Sequence, residues 1–173
     1  MRKLIASLML LGLLLAAMPV AQVSAATTQT VTVTATPTYV SISNTQTTYD
    51  FGAIAASSTP NTTTAWSTVT NDGSVAADIT IGSNGWSGGT GWTYGSAAAD
   101  TGQLKASGTN GGTGGTGGAG LYDVTVPSGS STLLIDDLAA SGSSAWEMQL
   151  DAPTSFSFGD EQTTTVTLTA SAS

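Results

Sequence analysis

The chain has 173 residues with neither cysteine nor histidine, and eleven acidic residues against three basic ones give a net charge of −8. Those absences exclude a disulfide framework, zinc or iron–sulfur centres and catalysis by a Cys or by a His-activated nucleophile. The acidic balance opposes binding to nucleic-acid phosphate and to anionic membrane surfaces.

The N-terminus reads as an export signal. Arg2 and Lys3 supply positive charge, residues 4–20 are an apolar run rich in Leu, Ala and Met, and Val23-Ser24-Ala25 places small residues at a cleavage site. The alternative is a retained anchor, but the run is broken by Ser7 and Pro19 and is short of the roughly 20 residues a bilayer span needs. With no Cys there is no lipoprotein anchor. The expectation is a signal peptide over residues 1–25 and a product that is secreted, extracellular or held at the cell surface, with no membrane association after cleavage. All eleven acidic residues lie beyond residue 25 and meet only Lys105 there, so eleven minus one leaves this part near −10.

Residues 26–173 are enough for one domain with a core. Residues 28–35 read TQTVTVTA, with Val31 and Val33 on one face and Thr on the other. Such period-two alternation marks a half-buried strand. Further strands are predicted over residues 39–42, 48–54, 65–71, 75–81, 91–94, 121–126, 131–135 and 145–150, and residues 162–171, QTTTVTLTAS, repeat the opening pattern. Asn71-Asp72-Gly73 reads as a tight hairpin turn between the strands on either side of it. Ser83-Asn84-Gly85, Pro127-Ser128-Gly129 and Ala152-Pro153 mark further turns, and residues 134–140 have room for a helical turn. Residues 108–120, GTNGGTGGTGGAG, are a flexible Gly-rich loop inserted between strands.

Eight to ten short strands with frequent turns predict an all-β fold, a single antiparallel β-sandwich that is immunoglobulin-like or jelly-roll-like, with a barrel as the alternative. The predicted core takes Val31, Val33, Val40, Ile42, Phe51, Ile54, Trp66, Val69, Ile79, Ile81, Leu121, Val124, Leu133, Ile135, Trp146, Met148, Leu150, Phe156, Val166 and Leu168.

Candidate chemistry is sparse. The Gly-rich run lacks the Lys-Ser/Thr ending of a phosphate-binding loop. Asp100-Thr101-Gly102 spells the Asp-Thr-Gly of aspartic proteases, where two such Asp share a proton, but it occurs once. The pairs Asp136-Asp137 and Asp160-Glu161 are candidate calcium ligands through oxygen, although neither has the Asp-x-Asp spacing of a dedicated loop. As solvated loop charges they need no ligand. Trp86, Trp92 and Tyr94 flank a Ser/Gly stretch and are the candidate face for stacking on a sugar ring, with packing inside the fold as the alternative. Asn61-Thr62-Thr63 fits a glycosylation acceptor.

Tyr49-Asp50-Phe51-Gly52, followed by Val69-Thr70-Asn71-Asp72-Gly73-Ser74, resembles a pattern of immunoglobulin-like domains in prokaryotic surface proteins. The ending from Trp146-Glu147-Met148 through Ala152-Pro153 to residues 165–170 is similar to the last strands of WxL-type surface proteins and of matrix-fibre proteins of the TasA/camelysin kind. A WxL motif has Leu where Met148 stands. The resemblance implies a β-sandwich that binds cell walls or polymerises into extracellular filaments.

The expected function is therefore an exported, non-enzymatic structural or assembly protein: a cell-surface, matrix-fibre, pilus-like or virion-decoration subunit without a cofactor other than calcium. Self-assembly would proceed by addition of a strand such as residues 28–35 to a neighbour's sheet edge. The alternative is a secreted module that binds a carbohydrate or cell wall.

Overall fold

The computed structural model describes residues 29–108 and 120–173. Residues 1–25, expected to be a signal peptide, and most of the Gly-rich run lie outside them. Residues 37–173 make one compact unit, and residues 29–36 do not belong to it.

This unit is an all-β sandwich with no helix among the described residues. Its strands are β1 (Ile42–Asn44), β2 (Ser67–Asn71), β3 (Ala77–Ser83), β4 (Thr93–Tyr94), β5 (Thr101–Gly108), β6 (Val124–Thr125), β7 (Ser131–Leu138), β8 (Ser143–Asp151) and β9 (Val166–Ala172). One sheet runs β1-β2-β8-β5, with β4 and β6 both added to β5, and the other runs β7-β3-β9. Every strand pair is antiparallel except β4 with β5.

Alternation sets the faces. In β2, Ser67, Val69 and Asn71 are buried while Thr68 and Thr70 are only partly covered. In β3, Ala77, Ile79 and Ile81 point inward, and in β8 Ser144, Trp146, Met148 and Leu150 do. With Leu104, Ala106, Val126, Leu134, Ile135 and Leu138 these make the core. In β7 the register against β3 slips on both sides of Ile79. Such bulges turn a strand past strict alternation, so neighbouring Leu134 and Ile135 are both buried, and Leu133 is only half-buried.

Several sequence expectations need correction. Residues 29–36 carry no strand, and Val31 and Val33 are 80% and 85% exposed, not core. Residues 48–54 are not a strand: the Gly52 N–H turns back to Asp50 Oδ1 (2.7 Å), and Gly52 takes φ +66°, a conformation glycine adopts without strain. Residues 134–140 make no helical turn, because β7 continues to Leu138. Leu121 is 59% exposed, and Phe156 is exposed as well.

The Asn71-Asp72-Gly73 turn is the most instructive correction. It joins β2 in one sheet to β3 in the other, so it is a corner between layers and not a hairpin. Neither Asn71 nor Asp72 has positive φ. Asn71 works through its side chain instead. Nδ2 donates to the carbonyls of Val75 (2.9 Å) and Leu138 (2.8 Å), and Oδ1 accepts from the Gly73 N–H (2.9 Å).

Strand β5 was missed by the sequence reading. Its pattern TGQLKASG does alternate, with Gly102, Leu104 and Ala106 buried, but its inward side chains are small and its apolar signal is weak. It forms an antiparallel pair with β6, so the Gly-rich run connects these two strands.

Candidate functional site

The two sheets are unequal, and this opens the sandwich on one side. β7 closes over β5, β6 and β8. The three strands β7-β3-β9 then run out before β1 and the neighbouring part of β2 are roofed. The result is an open groove of about 1270 Å³ between β9 and the β1 side. Trp146, Met148 and Leu150 of β8, with Leu104 of β5, form its floor. Val166 and Leu168 of β9 form one wall, and residues 46–54 form the other.

An aromatic chain crosses the groove. Trp146 meets Trp66 edge-on at 5.3 Å between centroids, Trp66 meets Tyr49 at 5.3 Å, and Tyr49 meets Phe51 at 4.9 Å. Trp146 is fixed by a hydrogen bond from Nε1 to Asn44 Oδ1 (3.0 Å), an oxygen that also accepts from Ser67 Oγ (2.8 Å). Ile42, Phe51, Ile54, Trp66, Val166 and Leu168 remain only half-buried along the open side. Apolar surface left facing water in this way favours a covering partner.

The wall strand β9 is a free edge. All seven of its residues pair with β3, and among the described residues no strand pairs its other side. Exposed edges in natural proteins are usually guarded by Lys, Pro, bulges or inward charges. β9, VTLTASA, has none of these and its pairing shows no register shift.

The structure brings Trp86, Trp92 and Tyr94 together. Trp86 lies edge-on to Trp92 at 5.3 Å and 5.7 Å from Tyr94, and Trp92 stacks on Phe156 at 5.5 Å with 13° between planes. Trp86 Nε1 donates to the Gly102 carbonyl (2.8 Å), and Tyr94 donates to Val126 O (2.8 Å) while accepting from Leu104 N–H (3.1 Å). Burial raises the Tyr94 hydroxyl above its ordinary pKa. Trp86 and Trp92 thus close one end of the groove, with one face of Trp92 stacked on Phe156.

The two acidic pairs lie apart. Asp137 stands by the start of β3, where its N–H donates to Asp78 Oδ1 (3.0 Å) and its Oδ1 accepts from Ser173 Oγ (2.9 Å). Residues 160–161 lie beside Gly88–Gly89, past the other end of β3, and Asp160 Oδ2 accepts from the Thr90 N–H (3.2 Å). Among the described residues no group of three or more carboxylates gathers to hold a metal. Asp100 is a loop fastener: its Oδ1 accepts the Ser157 N–H (2.6 Å), and the side chain and backbone of Ser157 hold its carboxyl below the usual range. Asn61 Oδ1 accepts from Gln149 Nε2 (2.8 Å), and Thr62 is buried with its hydroxyl bonded to the Met148 N–H (3.0 Å).

One buried charge escaped the sequence reading. Glu147 is 2% exposed on the face of β8 away from the groove. Beside it the chain leaves β2's line: Asn61 bridges Gln149 while Ser67 pairs with Trp146, so extra residues bulge out between. The bulge puts Ala65 at φ 51°, and its N–H donates to Glu147 Oε1 (2.8 Å). Tyr122 donates its hydroxyl to Oε2 (3.0 Å). Only the position of Glu147 in a strand rich in buried residues hinted at this role. Glu147→Gln replaces the charged acceptor of the Tyr122 hydroxyl by an amide NH2, so the hydroxyl must turn from donor to acceptor and its charge-assisted bond is lost. A loss of about 1–3 kcal/mol is expected in urea unfolding, and an unchanged midpoint contradicts the bond. Burial first, and then the Glu147 bond, push Tyr122 up to about 12. A raised folded pKa gives stability that is complete below the unfolded value near 10 and fades as pH rises through 12. Tyr122→Phe is therefore expected to lose this alkaline dependence between pH 10 and 12.

Comparison with protein-family models, with curated proteins and with solved structures finds no match to this chain.

Proposed function

We propose that this protein is an exported, non-catalytic structural subunit that assembles outside the cell, with the segment before the sandwich acting as a donated strand. The observation that carries this reading is the state of residues 29–36. They have the alternation of a strand, yet belong to no strand among the described residues, and hold two valines in solvent. A β-patterned segment with unpaired backbone and bare valines gains ladder hydrogen bonds and apolar burial when it joins a sheet edge. The scarcity of catalytic groups and the resemblance to matrix-fibre proteins agree with the reading. The carbohydrate-binding alternative draws less support, because the Trp92 ring already stacks on Phe156.

The test is to express residues 26–173, and the same chain without residues 26–36, and examine both by negative-stain electron microscopy and size-exclusion chromatography. Filaments or large ordered particles are expected of the first. A monomer with an unchanged β-type circular dichroism spectrum is expected of the second. A clean monomer from the longer chain, with and without calcium, overturns the proposal. Unfolding of the shortened chain would assign the segment to its own sheet.

A further inference from the structure

We infer that the acceptor for the donated strand is the free edge of β9 on a second copy, with Val31 and Val33 of the donor lying over the groove between β9 and β1. This rests on the assembly reading above and names its docking site.

Length and charge select this occupant. β9 spans seven residues, and residues 30–36 supply seven, each rising about 3.3–3.4 Å in extended form. Neither segment contains a charged residue, so pairing them buries no charge. The edge itself carries no guard against such pairing.

Face matching follows from period two. β9 turns Val166, Leu168 and Ala170 toward the interior and Thr167, Thr169 and Ser171 outward. A donor strand continuing that sheet must do the same with Val31, Val33 and Ala35 inward and Thr30, Thr32, Thr34 and Thr36 outward. Its valines then cover the half-buried Trp66 and Leu168. Its threonines extend the outer Thr face of β9, and such cross-strand Thr pairs stabilise sheets. The shorter sheet becomes β7-β3-β9-donor, and the roof missing above β1 is supplied. Each copy has one donor segment and one acceptor edge, so the contact is head-to-tail and propagates into an open filament unless the rotation between copies closes a ring.

The native chain has no cysteine, which makes cross-linking clean. Thr32→Cys is placed in one population, and Thr167→Cys, Thr169→Cys or Ser171→Cys in another carrying a different tag. The two are mixed under assembly conditions and oxidised. A disulfide needs Cα atoms within about 4.4–6.8 Å, a distance met only by directly opposed residues on paired strands. The expected result is a covalent heterodimer with at least one of the three β9 positions, and none with Ser131→Cys on β7, the far edge of the same sheet. In a parallel measurement Leu168→Arg, which puts a charge into the half-buried wall, is expected to raise the concentration needed for assembly tenfold or more while leaving the monomer's circular dichroism intact.

Filaments that form without any link to β9, or that link equally well to Ser131→Cys, overturn the acceptor assignment and leave the assembly reading standing. Absence of assembly in every population overturns both. A chain carrying Thr32→Cys and Thr167→Cys together that closes only on itself, as a monomer, overturns the second copy as occupant.

Discussion

Trp146→Ala is expected to destabilise the sandwich by about 3–5 kcal/mol, the range for emptying a large aromatic from a core. Trp146 is 3% exposed and sits where the floor of the groove meets the buried core. Its removal takes away the edge-on contact with Trp66 at 5.3 Å, and such pairs contribute about 0.5–1.5 kcal/mol beyond area. It also frees Asn44 Oδ1 from one of its two donors. Urea unfolding followed by circular dichroism should show a lower midpoint at constant slope, the mark of lost stability rather than of a changed denatured state. A loss below about 1 kcal/mol would contradict the packing described. Val33→Ala supplies the contrast. Equally strand-like in sequence, Val33 is 85% exposed, so in the monomer its truncation should stay within about 0.5 kcal/mol. Its effect belongs to assembly.

Asn71→Ala should be almost as damaging, at about 3 kcal/mol or more, for a different reason. Alanine removes little apolar contact, but it strips partners from the carbonyls of Val75 and Leu138 and from the Gly73 N–H. Each buried backbone group left unpaired costs about 1–3 kcal/mol. The Leu138 carbonyl belongs to β7 in the sheet opposite β2, so the same side chain ties the layers together at the corner. Asn71→Asp separates this account from a simple preference for turn residues. Aspartate suits a turn as well as asparagine does, but a carboxylate would set a second oxygen against two carbonyls. That variant should be at least as unstable as the alanine one at neutral pH. It should recover part of the loss in acid, where a protonated carboxyl can donate. Wild-type stability in Asn71→Asp at pH 7 would sink the explanation.

The same residue shows where local reading stops. Asn, Asp and Gly in succession announce that the chain turns, and it does. They say nothing of whether the next strand pairs with the last one or crosses to the other layer. Here Asn71 spends its amide on the corner, and β2 and β3 never pair. β5 illustrates the opposite failure. Its small inward residues, Gly102 and Ala106, send a weak apolar signal, yet it pairs with β4, β6 and β8. Gly102 has to be small, since a Cβ there would stand 2.9 Å from the Asp151 carbonyl. That constraint comes from a neighbour 49 residues away in sequence. Glu147 is similar. Its partners at residues 65 and 122 are distant in the chain, so no spacing rule could have marked it.

The candidate site divides along the same line. Trp86, Trp92 and Tyr94 were identifiable as a cluster of aromatics, and they do meet. That they close the end of a groove, and that Phe156 stacks on Trp92, depends on the loop before β9 folding back beside them. Residues 28–35 and 162–171 look alike in sequence, both Thr-rich and strictly alternating. Residues 166–171 of the second fall in β9 and pair with β3, whereas residues 29–35 of the first belong to no strand among the described residues.

By itself, then, the sequence determined the all-β character and, in β3, β8 and β9, which apolar residues face inward, because period-two alternation is a local property of the extended chain. Only the tertiary structure decided which strands pair, that the β7-β3-β9 sheet ends short, and that β9 is left as an open edge above a groove. Alternation assigns a side chain to a face but not a strand to a neighbour. Main-chain hydrogen-bonding groups are common to every residue, with proline lacking only its N–H, so strand order is settled by how the two layers close over their shared core.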